Sequence, residues 1–253
     1  MNTSDLKELL DAEAKRINSP SFIADDPVQF PRRFTKQQDI EAAALLAATI
    51  AWGNRKMICR NCDRMLGLMA DDPAAFILQK GHLDMDDEMN LHRTFFGRNF
   101  KHWCRALEQI FTQYGTVENM ASHYGVHQSA FPAWDLARAL NAEMQAANNG
   151  CQDSRCLPVN VDTSALKRLN MALRWLVRDD GIVDMGVWKL LKPSQLFIPM
   201  DVHVAQVSRQ LGLLERKSTD AKAVFELTGR CREFNPDDPA LYDFALFGIG
   251  MNL

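Results

Sequence analysis

The sequence contains no run of about 18 consecutive apolar residues, which is the length that a membrane-spanning helix needs, so it predicts no such helix. Its first stretch, MNTSDLKELLDAEAKR, alternates charged residues with leucine and lacks the apolar segment of a signal peptide. We therefore expect a cytoplasmic protein. Signals for β-strands are also few, and helical patterns dominate instead.

Six cysteines are present, but their spacing does not fit a metal site. Cys59 and Cys62 form a C-x-x-C pair inside a helical pattern, and no second pair of cysteines or histidines has a matching spacing. We therefore expect no metal and no other cofactor. Because no export signal precedes them, the cysteines are expected to be reduced.

A strong positive charge is missing as well, since the formal net charge is −3 and the pI is about 6.1. This balance argues against a protein that coats nucleic acid non-specifically, because such a protein would be strongly basic. It is compatible with a local basic face, since contacts with phosphates need only several lysines and arginines on one surface.

What the sequence does contain is a succession of helical patterns separated by short breaks. Capping signals mark helix starts at Asp5 with Glu8, at Thr35 with Gln38, and at Asp72 before Pro73. Helices are expected at about residues 5–17, 35–52, 55–70, 99–114, 116–124, 132–149, 163–178, 202–212, 219–233 and 239–250. The pattern predicts an all-α fold, with a single domain over residues 1–253 and no separable linker.

The segment from Ile198 to Val204, followed by AQVSRQLGL, is the most informative one. Asp201 has the position of a helix N-cap, and valines and a leucine after it form an apolar stripe. The helix dipole favours a negative charge at this point. An Asp before an amphipathic helix is often only a cap, and this interpretation of Asp201 stays open.

The wider string Pro-x-Asp-x-His-Val, opening a helix of the form V-x-x-V-x-R-x-L-G-L, resembles the helix-hairpin-helix DNA glycosylase superfamily. The string from Pro239 to Gly250 is similar to the closing helix of that superfamily, and Ile40–Trp52 is similar to its buried helix. AATIAWGNRKM and KRLNMALRW are also similar to a bacterial family known only as a domain of unknown function. The resemblance covers most of the chain and implies a two-lobed helical bundle of the glycosylase type.

The resemblance implies that Asp201 is the catalytic carboxylate. Members that are also lyases use a lysine near the start of the helix after the hairpin, and Lys167 is the candidate here. It precedes Asp201 by 34 positions, a gap that resembles the one in archaeal 8-oxoguanine glycosylases. Lys189 and Lys192 are alternative lysines. The competing interpretation of Lys167 is a solvated lysine on a basic helix face.

One departure concerns the hairpin, which in the superfamily is usually Leu-Pro-Gly-x-Gly, whereas residues 157–164 contain no glycine. A helix N-terminus at Thr163 or Ser164 could still offer N–H groups to a DNA phosphate. Asp162 beside it would oppose such a contact. The iron–sulfur cluster of some relatives is rejected, because Cys231 is the only cysteine after Gly212.

The resemblance also implies contacts with DNA outside the hairpin. At the end of the buried helix, Asn54 or Arg55 would fill the space that an extruded base leaves; alternatively, this turn is only a helix C-cap with Trp52 in the core. His203 would orient Asp201 or contact a phosphate, or is a packing residue. The candidates for a phosphate-facing surface are Arg168, Arg174, Arg178, Lys189, Lys192 and Arg209.

The function that the resemblance implies is excision of a damaged base from duplex DNA, with an additional lyase activity if Lys167 attacks the sugar. A non-catalytic nucleic-acid-binding protein with the same fold is the first alternative. An N-glycosidic hydrolase acting on RNA or nucleosides is the second. DNA is the expected partner, and neither a membrane nor an obligate protein partner is expected.

Overall fold

A computed structural model describes residues 2–251, and α-helices dominate it. The helices are α1 (Thr3–Ile17), α2 (Pro20–Ile23), α3 (Gln37–Thr49), α4 (Arg55–Leu68), α5 (Pro73–Leu78), α6 (Gly97–Tyr114), α7 (Val117–His123), α8 (Pro132–Ala147), α9 (Lys167–Val177), α10 (Val202–Gln210), α11 (Ala221–Phe234) and α12 (Tyr242–Met251). Two short strands, β1 (Asn90–His92) and β2 (Phe95–Phe96), pair antiparallel in a hairpin that the sequence did not predict. The all-α class is confirmed.

Several helix starts differ from the predicted ones. Asn2, rather than Asp5, caps α1, since its side chain accepts the N–H of Asp5 at 2.9 Å. The predicted Thr35 capping box is wrong, because α3 follows Lys36 without a side-chain cap. The prediction at Asp72 is confirmed, because its carboxylate accepts the N–H of Ala75 in the first turn of α5.

The chain forms two compact units. The terminal unit comprises residues 1–22 and 162–253, and the central unit comprises residues 23–161. The expectation of one two-lobed domain over residues 1–253 stays a prediction, and Met1, Asn252 and Leu253 lie outside the described residues.

The core of the terminal unit forms around α12, which packs against α1 and α10. Close approach of α1 requires glycine at Gly248, because a Cβ there would lie 2.5 Å from Cγ1 of Ile17. The hydroxyl of Tyr242 donates to Asp11 Oδ1 at 2.7 Å and fixes the start of α12 to α1. These contacts hold α12 against α1 on one side and against α10, the helix that Asp201 caps, on another.

The core of the central unit forms around α3 and α6. Because α3 is apolar or small on nearly all sides, it is buried from Asp39 to Thr49, as predicted. Its two carboxylates are satisfied by other helices: Asp39 accepts the N–H of Ala74 in α5, and Glu41 accepts the N–H groups of Val117 and Glu118 in α7. Buried carboxylates are stable there because helix N-termini supply unpaired N–H donors.

Candidate active site

Asp201 is the N-cap of α10. Its backbone is extended, with φ −111°, and its Oδ1 accepts the N–H of Val204 at 3.0 Å. The side chain is half-buried. Within residues 2–251, no hydrogen-bond donor contacts the second carboxylate oxygen. The cap predicted from the sequence is confirmed, and it leaves one oxygen of Asp201 available to a ligand.

Lys167 is the first residue of α9 and is half-buried. The predicted helix start at residues 163–164 is wrong, because Leu166 has a left-handed backbone with φ 48° and interrupts the helix there. Ser164 lies before the helix and accepts the N–H of Leu166 on its Oγ at 3.2 Å. Its expected role as a helix-start phosphate ligand therefore loses its structural basis.

Asp243 lies within electrostatic range of both Lys167 and Asp201 in the terminal unit. It lies buried in the first turn of α12, where it forms an ion pair with Arg174. The pKa of Asp243 is raised to about 6, mainly by burial. The charge of Asp201 also raises this pKa, whereas the charges of Arg174 and Lys167 lower it. Lys167 and Asp201 therefore both lie close enough to Asp243 to change the pKa of its carboxyl group.

Sequence reasoning missed Asp243 as part of this neighbourhood. The string around it was recognised as a closing helix, but nothing local distinguishes Asp243 from a residue in an exposed first turn. An aspartate directly before Phe244 in an otherwise apolar helix is the one available signal, because such a carboxylate needs a partner if the helix is buried.

Arg174 and Arg178 do not form part of a phosphate-facing surface, and this prediction is wrong. Both are buried, with 3% and 2% of their surface exposed. Arg174 pairs with Asp184 as well as with Asp243, and its guanidinium lies 4.2 Å from the centre of the Phe244 ring. Because both guanidinium groups are buried and form ion pairs inside the unit, neither can reach a DNA phosphate.

Arg178 is the centre of a buried network of ion pairs. Its carboxylate partners are Asp180 at 3.1 Å, Asp184, and Asp238 at 2.9 Å. Burial raises the pKa of Asp184, while the charges of Arg174 and Arg178 lower it. The network links the segment after α9 to the segment before α12, so it fixes the end of α9 relative to the start of α12.

The remaining predicted residues of the terminal unit differ in exposure. Lys192 and His203 are exposed, and Arg168 is half-buried. Lys189 is exposed but forms an ion pair with Asp179 at 3.0 Å. Arg209 donates to the backbone carbonyls of residues 216 and 217 at 2.9 and 2.8 Å, so its guanidinium stabilises the loop after α10.

In the central unit, the turn at Trp52–Asn54 is firmly held. Gly53 has φ 101°, a conformation that favours glycine, and Asn54 caps α4 by accepting the N–H of Met57 at 3.2 Å. The ring of His92 packs edge-to-face on Trp52, with centroids 4.8 Å apart, and its Nε2 lies 3.0 Å from the Trp52 carbonyl.

Asn54 is exposed, whereas Arg55 is half-buried and pairs with Asp26 at 3.2 Å. A cavity of about 490 Å³ borders Arg55, Lys56 and Cys59. Of the two residues expected to replace an extruded base, Asn54 is thus the one presented at the surface of the central unit.

A family match covers residues 26–252, and the description of that family is a protein of unknown function, DUF2400. The chain belongs to the DUF2400 family. No curated protein and no solved structure matches it. The match includes every candidate residue of this DUF2400 chain, from Asn54 to Asp243, and assigns no activity to any of them.

Two further findings describe the DUF2400 chain. Across residues 2–251, no helix has the length and apolarity needed to cross a bilayer. Over the same range, no group of three or more His, Cys, Asp or Glu side chains is arranged to hold a metal ion. The six cysteines are free thiols, and burial raises the pKa of Cys62, Cys104 and Cys231.

Proposed function

We propose that this DUF2400 protein excises a damaged base from duplex DNA, with Asp201 as the catalytic carboxylate and Lys167 as the nucleophile of an additional lyase step. The observation that carries the proposal is the Asp201 carboxylate at the start of α10, which is half-buried, is oriented by the N–H of Val204 and keeps one oxygen without a donor among the described residues. The resemblance of residues 198–212 to the helix-hairpin-helix glycosylases supports the same assignment.

The role of Asp201 follows from the charge that develops during base loss. Cleavage of an N-glycosidic bond passes through an oxocarbenium-like state with positive charge on the sugar, and a nearby carboxylate lowers its free energy. Asp201 has one oxygen fixed by the N–H of Val204, which orients the carboxylate, and one oxygen without a donor among the described residues. Such a carboxylate is oriented in advance and can still face a ligand.

The role of Lys167 is to attack C1′ once its amine is neutral. The bond between Nζ and C1′ forms as the glycosidic bond breaks, and the base leaves with that electron pair and takes up a proton. Opening of the sugar ring then places a proton on O4′ and leaves an imine between Nζ and C1′. Asp201 is the group in this neighbourhood that can carry the proton lost by the amine.

Asp243 and Arg174 would influence this site through their charges rather than through contact with the DNA. Arg174 compensates the negative charge of Asp243 inside the unit. An uncompensated anion there would favour the protonated form of Lys167, which cannot attack. The pair is therefore assigned a positioning and charge-balancing role.

Borohydride trapping on duplexes that contain 8-oxoguanine, uracil or an alkylated purine tests the proposal. We expect the wild-type protein to form a covalent adduct on at least one of them, Lys167→Ala to lose the adduct, and Asp201→Asn to lose base release. Lys222→Ala is the matched control, because Lys222 is an exposed lysine on α11 of the same unit and no role in the site is assigned to it. An adduct that survives in Lys167→Ala and disappears in Lys189→Ala would move the nucleophile to Lys189.

The same variants also distinguish a mechanism that does not use a lysine. Base release that persists in Lys167→Ala and vanishes in Asp201→Asn would identify a monofunctional glycosylase, in which water attacks C1′. Binding of every duplex with no release of any base would contradict the enzymatic proposal and favour a non-catalytic binding protein.

A further inference from the structure

The exposed side of α4 carries a row of cations. Lys56, Arg60 and Arg64 follow one another at intervals of four residues and are all exposed. This spacing places them on one face of the helix, about 6 Å apart along its axis. Within residues 2–251, no carboxylate forms an ion pair with any of the three.

One member of the row, Lys56, lies where the helix dipole disfavours a cation. Arg55 and Lys56 occupy the first turn of α4, where no acidic residue is present. Cations at a helix N-terminus are disfavoured by the helix dipole, and only Arg55 is compensated, by Asp26 at 3.2 Å. The helix dipole therefore does not account for Lys56, whereas an anion bound from outside the chain would compensate its charge.

Arg93 extends the row next to the turn at Gly53. A Cβ at Gly53 would lie 2.5 Å from Nη1 of Arg93, so the guanidinium packs directly on the turn. Arg93 is exposed and belongs to the link between β1 and β2. The turn at Gly53 and the hairpin of β1 and β2 both belong to the central unit.

The hairpin and α4 form one rigid support for these cations. The Asn61 side-chain amide donates to Nδ1 of His92 at 2.8 Å, and Nε2 of the same ring donates to the carbonyl of Trp52. Nη1 of Arg64 donates to the carbonyl of Asn90 at 2.9 Å. Side chains held on a fixed framework lose less conformational entropy when a ligand binds.

Three carboxylates of the central unit are engaged by other cations, whereas Asp25 borders the same cavity as Lys56 and forms no ion pair with it. Asp63 pairs with Arg33 at 2.7 Å, and Glu88 pairs with Arg98 at 2.6 Å. Asp26 pairs with Arg55, as described above. The positive charge of the row is therefore not neutralised by ion pairs of its own, although the net charge of the whole chain is −3.

We infer that this cationic face, formed by Lys56, Arg60, Arg64 and Arg93, binds the phosphate backbone of double-stranded DNA. The sequence of α4 contains no aromatic residue that could stack on unpaired bases, and Trp52 is already packed against His92. This favours a duplex over a single strand, because single strands are bound mainly through stacking. The choice of DNA rests on the proposed function, whereas binding through this face requires no catalysis.

The test measures the affinity of the full chain for an undamaged, fluorescein-labelled DNA duplex by anisotropy over a series of NaCl concentrations. In the variant Lys56→Ala/Arg60→Ala/Arg64→Ala, we expect the slope of log K against log salt to fall in magnitude by about 2.7, since each phosphate contact contributes about 0.9. The matched control is Lys15→Ala/Lys222→Ala/Arg230→Ala, which removes three exposed cations from α1 and α11. The control is expected to keep the wild-type slope.

An unchanged slope in the α4 variant would overturn the inference, because these residues would then make no phosphate contacts. An equal fall in both variants would overturn it as well, because the net charge of the protein would then explain the slope. Tighter binding of single-stranded DNA or of duplex RNA through the same residues would also overturn it. If the triple variant unfolds, as judged by circular dichroism, Arg60→Ala alone replaces it, with an expected decrease of about 0.9.

The two proposals fail separately. A wild-type protein that binds the duplex through this face but releases no base from any damaged duplex would refute the glycosylase and support the surface. A protein that releases a base while the α4 variant keeps the full salt slope would refute the surface alone.

Discussion

The two units bury carboxylates in different ways. In the terminal unit, Asp184 and Asp243 face the guanidinium groups of Arg174 and Arg178. In the central unit, Asp39 and Glu41 face backbone N–H groups at the N-termini of α5 and α7. The central carboxylates hold helices together, whereas Asp243 also lies within electrostatic range of Lys167 and Asp201.

The units also bury different titratable groups. The central unit contains His82, His92 and His102, all buried, and burial lowers the pKa of each of them. The terminal unit contains Asp243, for which burial raises the pKa to about 6. Acidification is therefore expected to lower the stability of the folded state through the histidines and to raise it through Asp243. The comparison between the units can thus be tested by mutation and by pH.

The largest expected effect comes from breaking the buried ion-pair network. Arg178→Met removes one of the two cations that pair with the buried Asp184 and the cation that pairs with the half-buried Asp238. We expect the free energy of unfolding in urea to fall by about 3–5 kcal/mol. The control is Lys189→Met, because Lys189 forms an exposed ion pair with Asp179 in the same segment. A change of about 1 kcal/mol or less is expected for the control. A similarly small change for Arg178→Met would show that the network is not needed for stability.

A smaller effect is expected in the central unit. Glu41→Gln keeps one acceptor oxygen but replaces the other by an amide, which cannot accept the N–H of Val117 or Glu118. We expect a loss of about 1–3 kcal/mol in urea unfolding, because a buried donor stays unsatisfied. Asp63→Asn, at an exposed carboxylate of the same unit, is the control. Equal losses in the two variants would contradict the capping role of Glu41.

The packing of α12 on α1 gives the third prediction. Gly248→Ala would place a Cβ 2.5 Å from Cγ1 of Ile17, and we expect a loss of about 1–3 kcal/mol from overpacking. Gly229→Ala in α11 is the control, since nothing lies within 4 Å of its Cβ position, and it should stabilise the protein by about 0.4–1 kcal/mol. Thermal unfolding followed by circular dichroism compares the two. Stabilisation by both variants would show that Ile17 moves away without cost.

The smallest effect concerns pH. A buried histidine whose pKa is lowered binds fewer protons in the folded than in the unfolded chain, so its contribution to stability is lost as pH falls below about 6.5. Asp243 binds more protons when folded, so its contribution is lost as pH rises from its ordinary value of 3.8 to about 6. Urea unfolding of the wild type and variants at pH 5 and 7 separates these contributions.

In His82→Leu, we expect acidification to destabilise the protein less than in the wild type, because neither ring nitrogen of His82 has a hydrogen-bond partner among the described residues. In Asp243→Asn, we expect acidification to destabilise it more than in the wild type. Changes of the same sign in both variants would contradict the assignment of opposite roles to the two units.

Part of the site was predictable from the sequence because it depends on residues close together in the chain. Asp201 caps α10 as expected, and α4 begins at Arg55 as expected, since an N-cap contacts N–H groups only two or three residues away and helix periodicity is equally local. The cap at Asn54 itself was not predicted. The start of α9 was not predictable, because the left-handed Leu166 has no glycine or asparagine to signal it. The hairpin of β1 and β2 was missed because each strand is only two or three residues long.

The sequence by itself determined the helical class, the buried character of α3 and the cap at Asp201, because periodicity and capping act over a few residues. Only the tertiary structure decided that Arg174 and Arg178 are internal and that Asp243 lies near Lys167 and Asp201. Arg174 and Asp243 are 69 positions apart, and Arg178 and Asp238 are 60 apart. Ion pairs over such distances depend on how helices pack, and no local pattern distinguishes an arginine that faces solvent from one that faces a buried carboxylate.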